Sequence, residues 1–282
     1  MRKRRRLELR KTLFLLPNLI TLSSIFCGFD SIRVSATAKN EDDFYRAGLL
    51  IIFAMFFDTL DGRVARMTKT QSAFGLQIDS LADVVSFGVA PSILVYQWTL
   101  HRFDLVGLIV AFLFTAMGAV RLARFNVLSM GENGKPSKPS KYIVGLPIPG
   151  AAGILVSIVV ANHAVAGAIG GAEYAAAILG VTVLLSFLMV STIRFRSFKD
   201  LKLNVRTVAL VAFAIGSSAV ISTKLQPAFV LVWLLGFYVL LGICESLWQL
   251  PGRLRGATAE GRVSSAPMPP RDSAPPAAPP AV

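Results

Sequence analysis

Four aspartates, Asp58, Asp61, Asp79 and Asp83, stand at fixed offsets in a stretch that is otherwise largely apolar. Residues 58–83 read DTLDGRVARMTKTQSAFGLQIDSLAD, which reduces to D-x2-D-G-x2-A-R-x8-G-x3-D-x3-D, with Gly62, Ala65, Arg66 and Gly75 at the remaining fixed positions. Charge near hydrocarbon is expensive and marks a site where it occurs. On a helix Asp58, Asp61, Gly62 and Ala65 fall at i, i+3, i+4 and i+7 and share a face, while Gly75, Asp79 and Asp83 form a second stripe. Two such stripes facing each other gather four carboxylates around one small volume. Each like-charged pair at ~4 Å costs on the order of 4 kcal/mol at an effective dielectric of 20. Two divalent cations cancel that charge. An all-oxygen donor set selects hard ions, Mg²⁺ or Mn²⁺, over zinc or copper. The expectation is a metal site of Asp58, Asp61, Asp79 and Asp83. Gly62, Ala65 and Gly75 leave its surroundings open to a bulky ligand.

The elements that must hold these residues read as membrane helices. The chain has 282 residues, 54% of them hydrophobic and 16% charged, with a mean hydropathy of +0.62. Runs long enough to span, ~20 residues each, fall at about 13–34, 46–66, 76–98, 105–126, 147–163, 173–192, 207–222 and 228–248. The expected fold is an all-α integral membrane bundle of about eight helices. With the N-terminus in the cytoplasm, 24 of the 29 Lys and Arg residues fall on the cytoplasmic side, as the positive-inside rule requires. That topology puts both termini in the cytoplasm and the acidic motif at the cytoplasmic membrane face. The net charge of +13 is spread over short membrane-flanking loops, so topology and contact with anionic lipid explain it better than nucleic acid does.

Three regions follow: a basic interfacial segment (1–12), a transmembrane domain (13–250) and a Pro/Ala-rich tail (251–282) with a disordered composition. The first apolar run is too long for a signal-peptide core and contains Pro17, Asn18 and Thr21, so it is expected to stay on the protein. Cys27 and Cys244 sit inside spans as small apolar residues, and His101 and His163 are single residues in outer loops. Neither type offers a metal site.

Two further segments carry chemistry. Arg121 and Arg124, at the cytoplasmic end of the fourth span, are three apart and share a helix face, where their guanidinium forks suit phosphate or carboxylate. Snorkelling to the interface is the alternative use of such arginines. In YIVGLPIPGAA, residues 142–152, two prolines and two glycines break the entry to the fifth span. Such backbone either lines a cavity at membrane depth or forms a plain helix-start loop.

Every fixed position of the 58–83 pattern matches the motif of the CDP-alcohol phosphatidyltransferases, which this region resembles closely. RLARFN (121–126) followed by GLPIPGAA (145–152), with Pro17, Asn18 and Thr21 in the first span, resembles the phosphatidylserine synthase branch of that family. The resemblance covers residues 12–245 as a topology and about 50 positions as specific motifs. It implies a homodimeric inner-membrane enzyme that passes the phosphatidyl group of CDP-diacylglycerol to the hydroxyl of L-serine and releases CMP. It implies metal-binding by Asp58, Asp61 and Asp79, with Asp83 as the base and able to touch one cation. Gly62, Ala65, Arg66 and Gly75 would border the CMP moiety, and Asn18, in the same segment as Thr21, would reach the diphosphate. Arg121 and Arg124, with Asn126 beside them, would meet the lipid phosphate or the serine carboxylate. Other acceptors (glycerol 3-phosphate, inositol, inositol phosphate, choline) and an ether-lipid donor stay open. A transporter would also have broken helices and buried acids, but residues 127–250 hold no second copy of the acidic feature.

Overall fold

Small residues and prolines decide where these helices touch and bend. The computed structural model describes residues 9–68, 70, 72–129, 142–196, 205–224 and 227–243. The chain divides after Ile243, and all described residues belong to the first of its two units. The tail (251–282), Cys244 and residues 1–8 of the expected basic segment lie outside them.

Helix α1 spans Leu9–Ala36, α2 Glu41–Thr68 and α3 Ala73–Asp83. A π-helical turn, Val84–Val89, joins α3 to α4, Ala90–Trp98. After a 3₁₀ turn at Leu100–Phe103 come α5 (Asp104–Ser129), α6 (Ile148–Ala164), α7 (Ala172–Val190), α8 (Val205–Lys224) and α9 (Ala228–Ile243). The all-α expectation holds. Its one departure among the described residues is a short antiparallel ribbon, β1 (Tyr142–Val144) paired with β2 (Arg194–Arg196), in which Ile143 stands opposite Phe195.

The helical rods fall where spans are expected, and among the described residues length and composition mark four stretches as able to cross a membrane. Leu16–Ala36, Phe74–Trp98, Leu100–Leu128 and Ala172–Val190 are long and apolar enough to cross a membrane. Helix α6 is too short by this measure. Helix α2 carries three acids in its first turn and the motif charges near its end.

Helices α1 and α2 approach closely because small residues line their seam. Ser24 Oγ donates to the Ala54 carbonyl at 3.0 Å and Ser31 Oγ to the Ala47 carbonyl at 2.9 Å. Side-chain hydroxyls and small side chains are what bring helices together where no water is expelled. Between Ser24 and Ser31 on α1, a Cβ at Gly28 would lie 2.7 Å from Ser86 Cα, so only glycine admits the π turn there. Ser86 Oγ answers by donating to the Ser24 carbonyl at 3.0 Å. The widened turn precedes Pro91, which has no N–H to give to the preceding turn. Within the same turn the Gly88 carbonyl also accepts from Thr115 Oγ1 of α5 at 3.2 Å. The core beneath is apolar, with Phe87, Leu94, Phe114, Leu146, Ile148 and Met189 fully buried. Phe26, Phe29, Phe53 and Phe56 face outward, as lipid-facing side chains do.

The break at 142–152 is a packed joint. Gly145 N–H donates to the Ile193 carbonyl at 2.8 Å and Leu146 N–H to the Leu188 carbonyl at 3.0 Å. Gly145 has a φ of +79°, and a Cβ there would meet the Met189 carbonyl oxygen at 2.2 Å, so the position requires glycine.

Candidate active site

The motif folds as two helix ends joined by a tight turn. Asp58 and Asp61 lie near the end of α2, and Asp79 and Asp83 lie on α3. Between them, Thr70 N–H donates to the Ala65 carbonyl at 3.1 Å, and the Thr68 and Thr70 hydroxyls meet at 2.8 Å. Ser72 then caps α3, its Oγ accepting from Gly75 N–H at 2.9 Å. This cap satisfies one of the orphan donors at a helix start. A Cβ at Gly75 would crowd the cap, at 3.2 Å from Ser72 Oγ, and would lie 4.0 Å from Asn18 Oδ1. Asn18 therefore faces the first turn of α3.

The turn brings the acids together. Ligand oxygens of Asp58, Asp61 and Asp79 all lie within 4.8 Å of one another. Asp83 lies against Asp58, their carboxyl groups within hydrogen-bonding reach of each other. Its Oδ1 is buried, with no hydrogen-bond partner among the described residues. The two facing stripes expected from the spacing are thus present. Asp61, 4% exposed, is oriented by α1, where Thr21 Oγ1 donates to its Oδ2 at 2.6 Å. The Thr21 hydroxyl is also 3.1 Å from the Pro17 carbonyl. Thr21, one turn after Pro17, therefore acts on the motif rather than facing open space.

Arg66 folds back over Gly62, where a Cβ would sit 3.6 Å from its Nη1. The open backbone at Gly62 and Gly75 and the Arg66 cation thus flank the acid cluster. Ala65, half-buried, sits one turn along from Asp61 and Gly62.

The two arginines of the fourth span divide. Arg121 is 8% exposed, close enough to Asp83 and to Tyr238 of α9 to interact electrostatically with both. Its guanidinium lies over the Phe125 ring at 5.6 Å, and its Nε has no acceptor among the described residues. Arg124 turns to backbone: Nη1 donates to the Val190 carbonyl at 2.8 Å, and Nη2 to those of Val144 and Ser191 at 3.3 and 3.4 Å. It binds the end of α5 to the end of α7 and to β1. Asn126 is likewise engaged, its Nδ2 donating to Ser80 Oγ at 2.9 Å, and so ties α5 to α3 between Asp79 and Asp83.

Sequence reasoning passes over Ser72, Ser80 and Tyr238. Ser72 carries a readable signal, a cap residue three before Gly75 at the start of an apolar run. Ser80 and Tyr238 carry none, because their partners are 46 or more positions away in the chain.

A family model described as CDP-alcohol phosphatidyltransferase matches residues 14–188. That range contains every site residue expected from the sequence. A protein of Helicobacter pylori strain J99, named CDP-diacylglycerol–serine O-phosphatidyltransferase, is 40% identical over 238 residues, which is 84% of this chain and 93% of that protein. One of the same name from Bacillus subtilis strain 168 is 35% identical over 65% of this chain and 91% of its own length. A third, from Methanocaldococcus jannaschii, is 46% identical over 38% of this chain and 47% of its own.

Proposed function

The chain belongs to the CDP-alcohol phosphatidyltransferase family, and from that membership and the acid cluster we propose that it transfers the phosphatidyl group of CDP-diacylglycerol to L-serine. The observation that carries this reading is Asp58, Asp61 and Asp79 converging within 4.8 Å, with Asp83 against Asp58 and Arg121 beside it. Serine as acceptor rests on the names of the similar proteins and on the RLARFN and GLPIPGAA segments.

The donor set fits hard divalent cations. It consists of carboxylate oxygens alone, one oriented by a hydroxyl and another buried without a partner. Asp58, Asp61 and Asp79, with Asp83 at their edge, would hold two Mg²⁺ or Mn²⁺ ions, which supply charge neutralisation for the diphosphate and the leaving CMP. The side chains do the rest. Asp83 accepts the proton of the serine hydroxyl as its oxygen attacks the phosphorus that bears the diacylglycerol. A new P–O bond forms, the bond to the CMP phosphate breaks, and CMP leaves with that electron pair. Such a positioned base contributes typically 10²–10⁴-fold.

Arg121 offers its unpaired Nε to the serine carboxylate or the lipid phosphate. Arg66, Gly62, Ala65 and Gly75 border the CMP moiety, and Asn18, beside Gly75, reaches the diphosphate. Thr21, Arg124 and Asn126 hold the frame through Asp61, α7 and Ser80 respectively. The fuller topology belongs to the same reading: eight spans, both termini cytoplasmic, the inner membrane, and a homodimer.

The test is an acceptor screen. Purified full-length protein is given CDP-diacylglycerol with L-serine, glycerol 3-phosphate, inositol, inositol phosphate or choline in turn. Serine should be used and the others should do little. Preference for another acceptor would overturn the serine assignment while leaving the family assignment intact.

A further inference from the structure

The other end of α1 and α2 holds a second recess, remote from the acid cluster. Asp43 and Asp61 lie 18 residues apart on α2, about 27 Å at 1.5 Å per residue. That is close to the ~30 Å thickness of a bilayer's hydrocarbon. The recess, about 440 Å³, lies between the end of α1 and the start of α2. It is lined by Asp30, Arg33, Val34, Thr37, Asp43, Arg46, Leu49, Leu50 and Phe53.

Its lining is ordered. Asp30, Arg33, Thr37, Asp43 and Arg46 surround the end near the helix connection. Leu49, Leu50 and Phe53 continue inward along α2, and Arg46 to Phe53 covers about 10 Å. A polar end followed by an apolar trough is the profile of a phospholipid, head group first. Phe53 is 56% exposed, so the trough opens sideways to where acyl chains lie.

The charges are balanced, with two guanidinium and two carboxylate groups. Arg33 Nε donates to Asp30 Oδ1 at 2.7 Å, which leaves four of its five N–H donors and the second Asp30 oxygen. Asp43 Oδ2 accepts from the Lys39 N–H at 3.0 Å. Arg46 has no ion-pair partner among the described residues. Arg33 and Arg46 are also two of only five Lys and Arg residues that the positive-inside count leaves on this side, so topology gives no reason for them.

We propose that this recess binds a zwitterionic phospholipid, its phosphate on Arg33 and Arg46 and its ammonium on Asp30 and Asp43. A purely anionic head group would satisfy the arginines and leave the carboxylates facing like charge.

The test is native mass spectrometry of the full-length protein in detergent, with CDP-diacylglycerol present to fill the donor site. The probes are phosphatidylethanolamine, phosphatidylglycerol and the chain-free head group glycerophosphoethanolamine. Phosphatidylethanolamine should be retained at one equivalent, at least about fivefold over phosphatidylglycerol, and glycerophosphoethanolamine should not be retained. Arg33→Ala/Arg46→Ala should lose that retention and keep CMP release. Asp30→Asn/Asp43→Asn, which leaves both cations, should shift the preference to phosphatidylglycerol. Equal retention by wild type and the arginine variant, or an unchanged preference in the asparagine variant, overturns the proposal. So does loss of self-association in the arginine variant without loss of lipid, which would make the occupant a second copy of the chain. None of these results bears on the transferase reading.

Discussion

Thr21 on α1 donates its hydroxyl proton to Asp61 Oδ2 on α2 across 2.6 Å, forty positions away in the chain. A carboxylate fixed this way presents its other oxygen in one direction. Outer partners of metal ligands typically matter 10–100-fold. Thr21→Val, which keeps the shape and removes the donor, should lower turnover by that order and raise the Mg²⁺ or Mn²⁺ concentration needed for half-activity. Thr21→Ser should restore both, and an unchanged cation requirement in Thr21→Val would remove this role.

Asp58→Ala, Asp61→Ala and Asp79→Ala each delete one of the three converging ligands. Each should abolish transfer. EDTA should do the same to the wild-type protein, with recovery on adding Mg²⁺ or Mn²⁺ but not on adding Ca²⁺-free buffer alone. Full activity in chelator would contradict a metal-dependent site.

Asp83→Asn keeps the volume beside Asp58 and removes the proton acceptor. CDP-diacylglycerol should still bind, while transfer falls by at least about 10². Normal turnover would move the base elsewhere.

The two neighbouring arginines should behave differently. Arg121→Ala should raise the apparent KM for serine or for the lipid donor. Arg124→Ala frees three backbone carbonyls at the α5–α7 junction, and a lost buried partner costs on the order of 1–3 kcal/mol. It should shorten the half-life of activity on heating with little change in KM. If Arg124→Ala instead raised KM without loss of thermal resistance, the arginine would be touching substrate.

The acidic motif was legible because its information is local. Offsets of three and four residues on two helices fix which carboxylates share a face, whatever surrounds them. The helical rods were legible for the same reason. What sequence could not carry is pairing between distant segments. Arg121 and Arg124 look equivalent on one helix face, yet one meets Asp83 and the other the carbonyls of Val190 and Ser191. That difference is set by how α7 ends, not by anything within RLARFN. The π turn after Asp83 depends on the close approach of Gly28 to Ser86, which no window of sequence around residue 84 contains. The GLPIPGAA break reads equally as cavity wall or joint until Gly145 and Leu146 find their acceptors on and beyond α7. Among the described residues, length and composition alone mark four spans and pass over helices that are short or carry the site's own charges, as α6 and α2 do.

The most direct measurement of the central claim is reaction stoichiometry. Full-length protein with CDP-diacylglycerol, L-serine and Mg²⁺ or Mn²⁺ should consume serine and release CMP in equal amounts, with phosphatidylserine as the lipid product and Asp83→Asn as the blank. CMP release that does not depend on serine, or serine consumption without matching CMP, would contradict it.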